Sequence, residues 1–201
     1  MHLKSSPHRG ENKLMKDMIK RKISSHKQTL ENVIENNVEA IEKACNLAVE
    51  TLKGGNKVLL FGNGGSASDA QHIAAELTGR FVTERIPLPG IALTTDTSAL
   101  TAIANDYGYS KVFERQVQAL ANKGDLLIGI STSGNSENVM NGFNAGRKIG
   151  CKSITLSGKD GGKMKDMSDI DIIIAENNTA RIQEMHIMIG HIICAAIDEA
   201  F

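Results

Sequence analysis

His72 and Glu76 stand four residues apart in a stretch of helical pattern, which puts an imidazole and a carboxylate on one face of one helix, a turn apart. Those two groups side by side are the equipment of general acid–base chemistry. Alone, such a pair would be a solvated surface contact. Its surroundings argue otherwise, because Ile73, Ala74 and Leu77 mark the same helix as one buried against a sheet. Directly before it, Gly62-Asn63-Gly64-Gly65-Ser66 forms a turn that follows the apolar run Val58 to Phe61. Strand, glycine-rich turn and helix with titratable groups is how an α/β protein assembles a small-molecule site.

A second stretch, Ser131-Thr132-Ser133-Gly134-Asn135-Ser136, gathers the hydroxyls of Ser131, Thr132, Ser133 and Ser136 between a buried strand and a helix start. Amides at a helix N-terminus carry partial positive charge, and hydroxyls complete the coordination of a dianion, so this loop suits one phosphomonoester. An N-cap and a Ser/Thr turn would account for one or two of the four hydroxyls.

The third set lies on the last helical stretch, where Gln183 and His191 are eight residues apart, a rise of about 12 Å. They meet at one ion or substrate only by reaching toward each other, or through groups of a neighbouring chain. His186 is out of phase with His191 and reads as a core or interface histidine. A mixed His, Glu and Gln set suits zinc or a similar divalent ion, although spacing alone does not call for a metal.

The first turn also satisfies the loose dinucleotide pattern G-x-G-x-x-[GA]. No acidic residue follows about 20 positions on, as ribose binding requires, and no Gly-Lys-Ser/Thr follows for a Walker loop.

The elements that must hold these groups are legible by period. Apolar residues recur at three- and four-residue steps from Leu30 to Leu52, predicting one amphipathic helix stopped by Gly54-Gly55, with a weaker helical pattern through Leu14, Met18, Ile19 and Ile23 before it. Further strands are expected at 91–93, 125–130, 153–156 and 171–174, and helices at 99–105, 112–120, 137–149 and 180–200. Such alternation predicts a parallel sheet covered on both faces. The last helix is apolar around most of its circumference and must be buried, in a bundle or an oligomer interface.

With 201 residues, 41% of them apolar, the chain can bury one core, and 23 basic against 23 acidic residues leave no global field to recruit nucleic acid or an anionic membrane. Only a weak basic cluster lies near Lys16 to Lys27. Cys45, Cys151 and Cys194 are odd in number and scattered, pointing to a reducing compartment. The polar first residues carry no signal-like apolar region, and no apolar run approaches the roughly 18 residues of a membrane span. The expectation is a cytoplasmic chain with a disordered tail at 1–12 and one domain at 13–201, whose helical extension covers 13–55.

Taken together, FGNGGSASDAQHIAAELTGR, ALTTDTSALTAIANDYGY, GISTSGNSENV, TLSGKDGGKM and TARIQEMHIMIGHII resemble the bacterial phosphoheptose isomerases of the sugar-isomerase (SIS) family. The resemblance is close over residues 55–201 and looser before them. It implies a three-layer α/β/α fold with a five-stranded parallel sheet of flavodoxin-like topology, N-terminal helices packed in an oligomeric bundle, and a homotetramer with active sites between subunits. It also implies isomerisation of sedoheptulose 7-phosphate to D-glycero-D-manno-heptose 7-phosphate for lipopolysaccharide or capsule.

By position, Glu76 matches the family's base and His191 its acid, and His72, Glu76, Gln183 and His191 match its zinc ligands. Asn63, Gly64, Gly65, Glu76, Asn105, Asp106, Ser131, Thr132, Ser133, Ser136 and Gln183 match its substrate contacts. Ala180 stands where some members carry Asp. The rival expectation is a non-catalytic relative that binds the replication initiator or senses sugar phosphates; such a relative should have lost the carboxylate or the histidine, and both are present here.

Overall fold

The computed structural model describes residues 8–201. Five parallel strands, β1 (Val58–Gly62), β2 (Gly90–Ala92), β3 (Leu126–Ser131), β4 (Lys152–Gly158) and β5 (Ile170–Ile174), stand in the order β2-β1-β3-β4-β5. In β1 and β3 every residue is buried, and successive side chains serve opposite faces. Val58 and Leu60 join one core with Leu126, Ile128 and Ile154, whereas Leu59 and Phe61 join the other.

The first core is roofed by α2 (Val38–Lys53), α3 (Gly65–Thr78) and α7 (Thr179–Ala200), with α1 (His8–Asn36) alongside. The second is roofed by α5 (Val112–Leu120) and α6 (Glu137–Ile149), flanked by α4 (Thr97–Tyr107). There Phe61 stacks at tilted angles on Phe113 and Phe143, ring centroids 5.3 and 5.5 Å apart, each buried ring contributing roughly 2–3 kcal/mol. The expected three-layer α/β/α architecture with a five-stranded parallel sheet is present.

One expected element is divided. The helix anticipated over 30–52 is interrupted at Asn37, so that residues through Asn36 belong to α1 and α2 starts at Val38. The cause is tertiary: Asn37 Nδ2 donates to the Ile173 carbonyl at 3.1 Å, and Thr29 Oγ1 donates to the Ser25 carbonyl and to Glu176. The bonds of Asn37 to Ile173 and of Thr29 to Glu176 tie the helical arm to β5 and the residues after it, and apolar periodicity does not register them. Residues 8–12, assigned from sequence to the tail, form the start of α1; residues 1–7 lie outside the described residues. Among the described residues no helix is long and apolar enough to cross a membrane.

The strand order matters for the site. Chain direction along the sheet reverses between β1 and β3, and in an open parallel sheet the crevice beyond the carboxyl ends of strands at such a reversal receives ligands. The turns that leave β1 and β3 there are the glycine-rich turn and the hydroxyl loop.

Candidate active site

Leaving β1, the chain turns through Gly64 at φ 57°, in the left-handed region that glycine enters without strain, and begins α3 at Gly65. A Cβ on Gly65 would sit 2.2 Å from Nε2 of Gln183, so the absence of a side chain leaves room for the Gln183 amide against the start of α3. Further along α3, Nε2 of His72 lies 3.1 Å from Oε1 of Glu76 and 3.1 Å from Nε2 of His191 on α7. The helix after the first strand and the helix after the last strand thus share one cluster. Phe81 stacks on the outer side of the His191 ring, centroids 5.4 Å apart and planes 29° from parallel.

Asp69, one turn before His72, has a buried carboxylate oxygen without a hydrogen-bond partner among the described residues; burial raises its pKa and the neighbouring His72 opposes the shift. His186, by contrast, belongs to the core. Its Nε2 donates to the Ser157 carbonyl at 3.0 Å, and burial pushes its imidazole down to about 4, against the opposing effect of that bond.

The hydroxyl loop is folded for something other than capping. Ser136, at the N-cap position of α6, makes no cap bond; its Oγ lies 2.9 Å from Ser131 Oγ, which in turn is 3.4 Å from Ser133 Oγ. Thr132 lies between them, half-buried. The loop is buttressed from β4's exit: Met164 N donates to the Gly134 carbonyl, Lys163 N donates to Asn135 Oδ1, and a Cβ on Gly134 would lie 2.0 Å from the Gly161 carbonyl. This accounts for the Gly-Lys-Asp-Gly-Gly segment after β4, whose glycines permit that close backbone approach.

Asn63 bridges the two turns. Its amide forms a reciprocal pair with that of Asn138, at 2.9 and 2.8 Å, and its Oδ1 also accepts from the Tyr109 hydroxyl at 3.1 Å. A pocket of about 310 Å³ opens here, lined by Asn63, Tyr109, Ser110, Ser136, Glu137 and Asn138. Asn105 and Asp106 are exposed near the end of α4 and bond to each other at 2.8 Å; no hydrogen bond among the described residues joins them to the rest of the site.

The SIS domain family matches residues 23–158. The phosphoheptose isomerase of Aliarcobacter butzleri (strain RM4018) is 64% identical over 184 residues, covering 92% of this chain and 97% of its own. That of Helicobacter pylori (strain P12) is 53% identical over 188 residues, covering 94% and 98%. The solved phosphoheptose isomerase from Neisseria gonorrhoeae superposes with a TM-score of 0.86 at 43% identity, over 92% of this chain and 99% of that one.

The chain belongs to the phosphoheptose isomerase family, within the SIS-domain proteins.

For a phosphoheptose isomerase, the structure gathers His72, Glu76 and His191 into contact, places Gln183 against Gly65, and sets Asn63 between the glycine turn and the start of α6. Tyr109, Asn138 and Phe81 escape a reading of the sequence. Their partners lie 46, 75 and 110 positions away, and none carries a local spacing signal. Ala180, where some family members have Asp, sits in the first turn of α7 with its amide capped by Asn178 Oδ1. The cap therefore stands without a carboxylate at that position.

The donor types of the cluster fit zinc. Two imidazole nitrogens and a carboxylate oxygen, with His72 Nε2 lying 3.1 Å from both Glu76 Oε1 and His191 Nε2, are the ligand types that zinc takes. Among the described residues no group of three or more His, Cys, Asp or Glu side chains is arranged to hold a metal ion as it stands. These side chains contact one another instead of surrounding a point, and binding would require them to turn.

Proposed function

We propose that this member of the family converts sedoheptulose 7-phosphate to D-glycero-D-manno-heptose 7-phosphate by proton transfer through an enediol. The observation that carries the reading is the 3.1 Å approach of His191 to His72, itself 3.1 Å from Glu76, in a chain whose β3 ends in a loop of four clustered hydroxyl residues. Ser131, Thr132, Ser133 and Ser136 hold the 7-phosphate at the start of α6, where the helix amides favour a dianion. Asn63, Gly64, Gly65 and Gln183 hold the polar body of the sugar, with Asn105 and Asp106 at its outer edge.

Glu76 takes the proton from C1, next to the ketone, while His191 protonates the C2 oxygen, giving the C1–C2 enediol. Removal of the C1 hydroxyl proton by His191 and return of the carbon proton from Glu76 to C2 then yield the aldose. One proton has moved between carbons and one between oxygens, and both groups finish as they began. Zinc, held by His72, Glu76, His191 and Gln183, would supply polarisation of the carbonyl oxygen as a Lewis acid.

We further propose a cytoplasmic homotetramer with the site completed between subunits, acting without nucleic acid or membrane. Support comes from α1 and α2, which leave Leu14, Ile23, Ile34 and Val38 more than half exposed in the single chain. Light scattering coupled to gel filtration measures the assembly.

The activity test is incubation with sedoheptulose 7-phosphate, with and without a chelator, following the aldose by NMR. Wild-type protein forms the aldose, and Glu76→Gln binds the ketose without turning it over. A folded Glu76→Gln protein with near wild-type turnover would remove Glu76 as the base.

A further inference from the structure

The turn of α3 that carries Glu76 ends without a basic residue of its own, and a helix end leaves its last carbonyls in need of donors. They are supplied from outside the helix. Arg85, in the irregular segment after α3, donates through Nη2 to the Glu76 carbonyl at 2.8 Å and through Nη1 to the Leu77 and Ile86 carbonyls, each at 3.0 Å. Its Nε donates to Oδ1 of Asp198 at 2.7 Å. The other oxygen of Asp198 accepts the amides of Val82 and Thr83, both at 2.8 Å.

Both side chains are almost fully buried, at 1% and 3% exposure. Burial would raise the Asp198 carboxyl, but the Thr83 and Val82 amides and Arg85 outweigh it and hold the group below the usual carboxylate range. Every oxygen of the carboxylate and each arm of the guanidinium is thus engaged, the condition under which a buried ion pair is rigid.

Its position gives the pair a role. Asp198 lies about two turns beyond His191 on α7, and the segment it grips begins one residue after Phe81, whose ring braces His191. One ion pair therefore fixes the backbone of Glu76 from below and the stacking partner of His191 from the side. We propose that Arg85 and Asp198 are positioning residues that set the distance between the base Glu76 and the acid His191 by locking the end of α3, the 80–88 segment and α7 together. This inference rests on the reading of Glu76 and His191 as the proton-transfer pair.

Charge and geometry are separable here, because lysine keeps the cation but cannot span two carbonyls and a carboxylate with one fork. Arg85→Lys keeps most of the thermal stability yet loses kcat by about tenfold or more, and Asp198→Asn loses kcat comparably. KM changes little in both, because the hydroxyl loop is untouched. Lys57→Met is the comparison: it breaks a second ion pair, Lys57 Nζ to the buried Asp125 Oδ2 at 2.5 Å, before β1 and β3 and away from the crevice. It lowers Tm and leaves kcat unchanged.

Imidazole ¹⁵N spectra are recorded alongside, well below each Tm. The ring nitrogens of His72 and His191 shift in Arg85→Lys and Asp198→Asn, and stay in place in Lys57→Met. Wild-type kcat together with unshifted ring signals in the two folded clamp variants overturns the inference. If wild-type protein fails to isomerise the sugar phosphate, the proposed reaction falls, and the ring spectra alone decide the clamp.

Discussion

Nε2 of His191 lies 3.1 Å from Nε2 of His72, although 119 positions separate them in the chain. The contact is the seam where the α3 half of the site meets the α7 half, and its removal tests whether the two halves act together. His191→Gln is expected to lower kcat by about 10²-fold or more while leaving Tm almost unmoved, since the ring is only half-buried. Steady-state kinetics beside a thermal melt checks both expectations.

Gly134 holds φ at 63° with the Gly161 carbonyl in the space a Cβ would need. Gly134→Ala should force the hydroxyl loop away from the 158–164 segment. The expected cost is about 2 kcal/mol or more, roughly 4–8 °C in Tm, with a rise in KM exceeding any fall in kcat. Calorimetry and initial rates at saturating substrate separate the two effects.

Gly65 makes a different prediction, because the atom in its way is the far end of a flexible side chain, Gln183 Nε2. Gly65→Ala should cost little stability, displace Gln183 and reduce kcat/KM by about tenfold. Combined with Gln183→Ala, the loss should be no greater than for Gln183→Ala alone. A double-mutant cycle measures this directly, and additive losses would mean that the two residues act separately.

His186 gives the fold a defined acid limit. Its imidazole sits at about 4 in the folded chain, against an ordinary value of 6.5, because burial disfavours the charged ring. The unfolded chain therefore binds the proton first as pH falls. The stability from this residue is intact above about 6.5, declines from there to about 4, and amounts to about 3 kcal/mol across that window. Urea melts across the window should show a shallower decline in His186→Leu than in the wild type.

Much of this architecture is written locally. The buried runs of β1 and β3 and the bounds of α5 and α6 follow from apolar period, since both faces of the sheet are covered and each strand reads as an unbroken apolar run. The break at Asn37 does not follow, because its cause is a carbonyl on β5. The site divides in the same way. His72 and Glu76 are neighbours on one helix and visible by spacing, and the four hydroxyls are visible as a cluster. The grip of Arg85 on the Glu76 carbonyl, the brace of Phe81 on His191 and the tie of Asn63 to Asn138 each join distant segments, where no periodicity applies.

The order in which the chain is made gives the seam one more meaning. On a ribosome the glycine turn, His72, Glu76 and the hydroxyl loop are synthesised well before α7, which supplies His191 and Asp198. A nascent chain can pair its first strands and shape its hydroxyl loop while still lacking the proposed acid and the anchor of the proposed clamp. The proposed proton-transfer pair is therefore completed last, and a chain halted before α7 would lack His191, Gln183 and Asp198 together with the helix that roofs the first core.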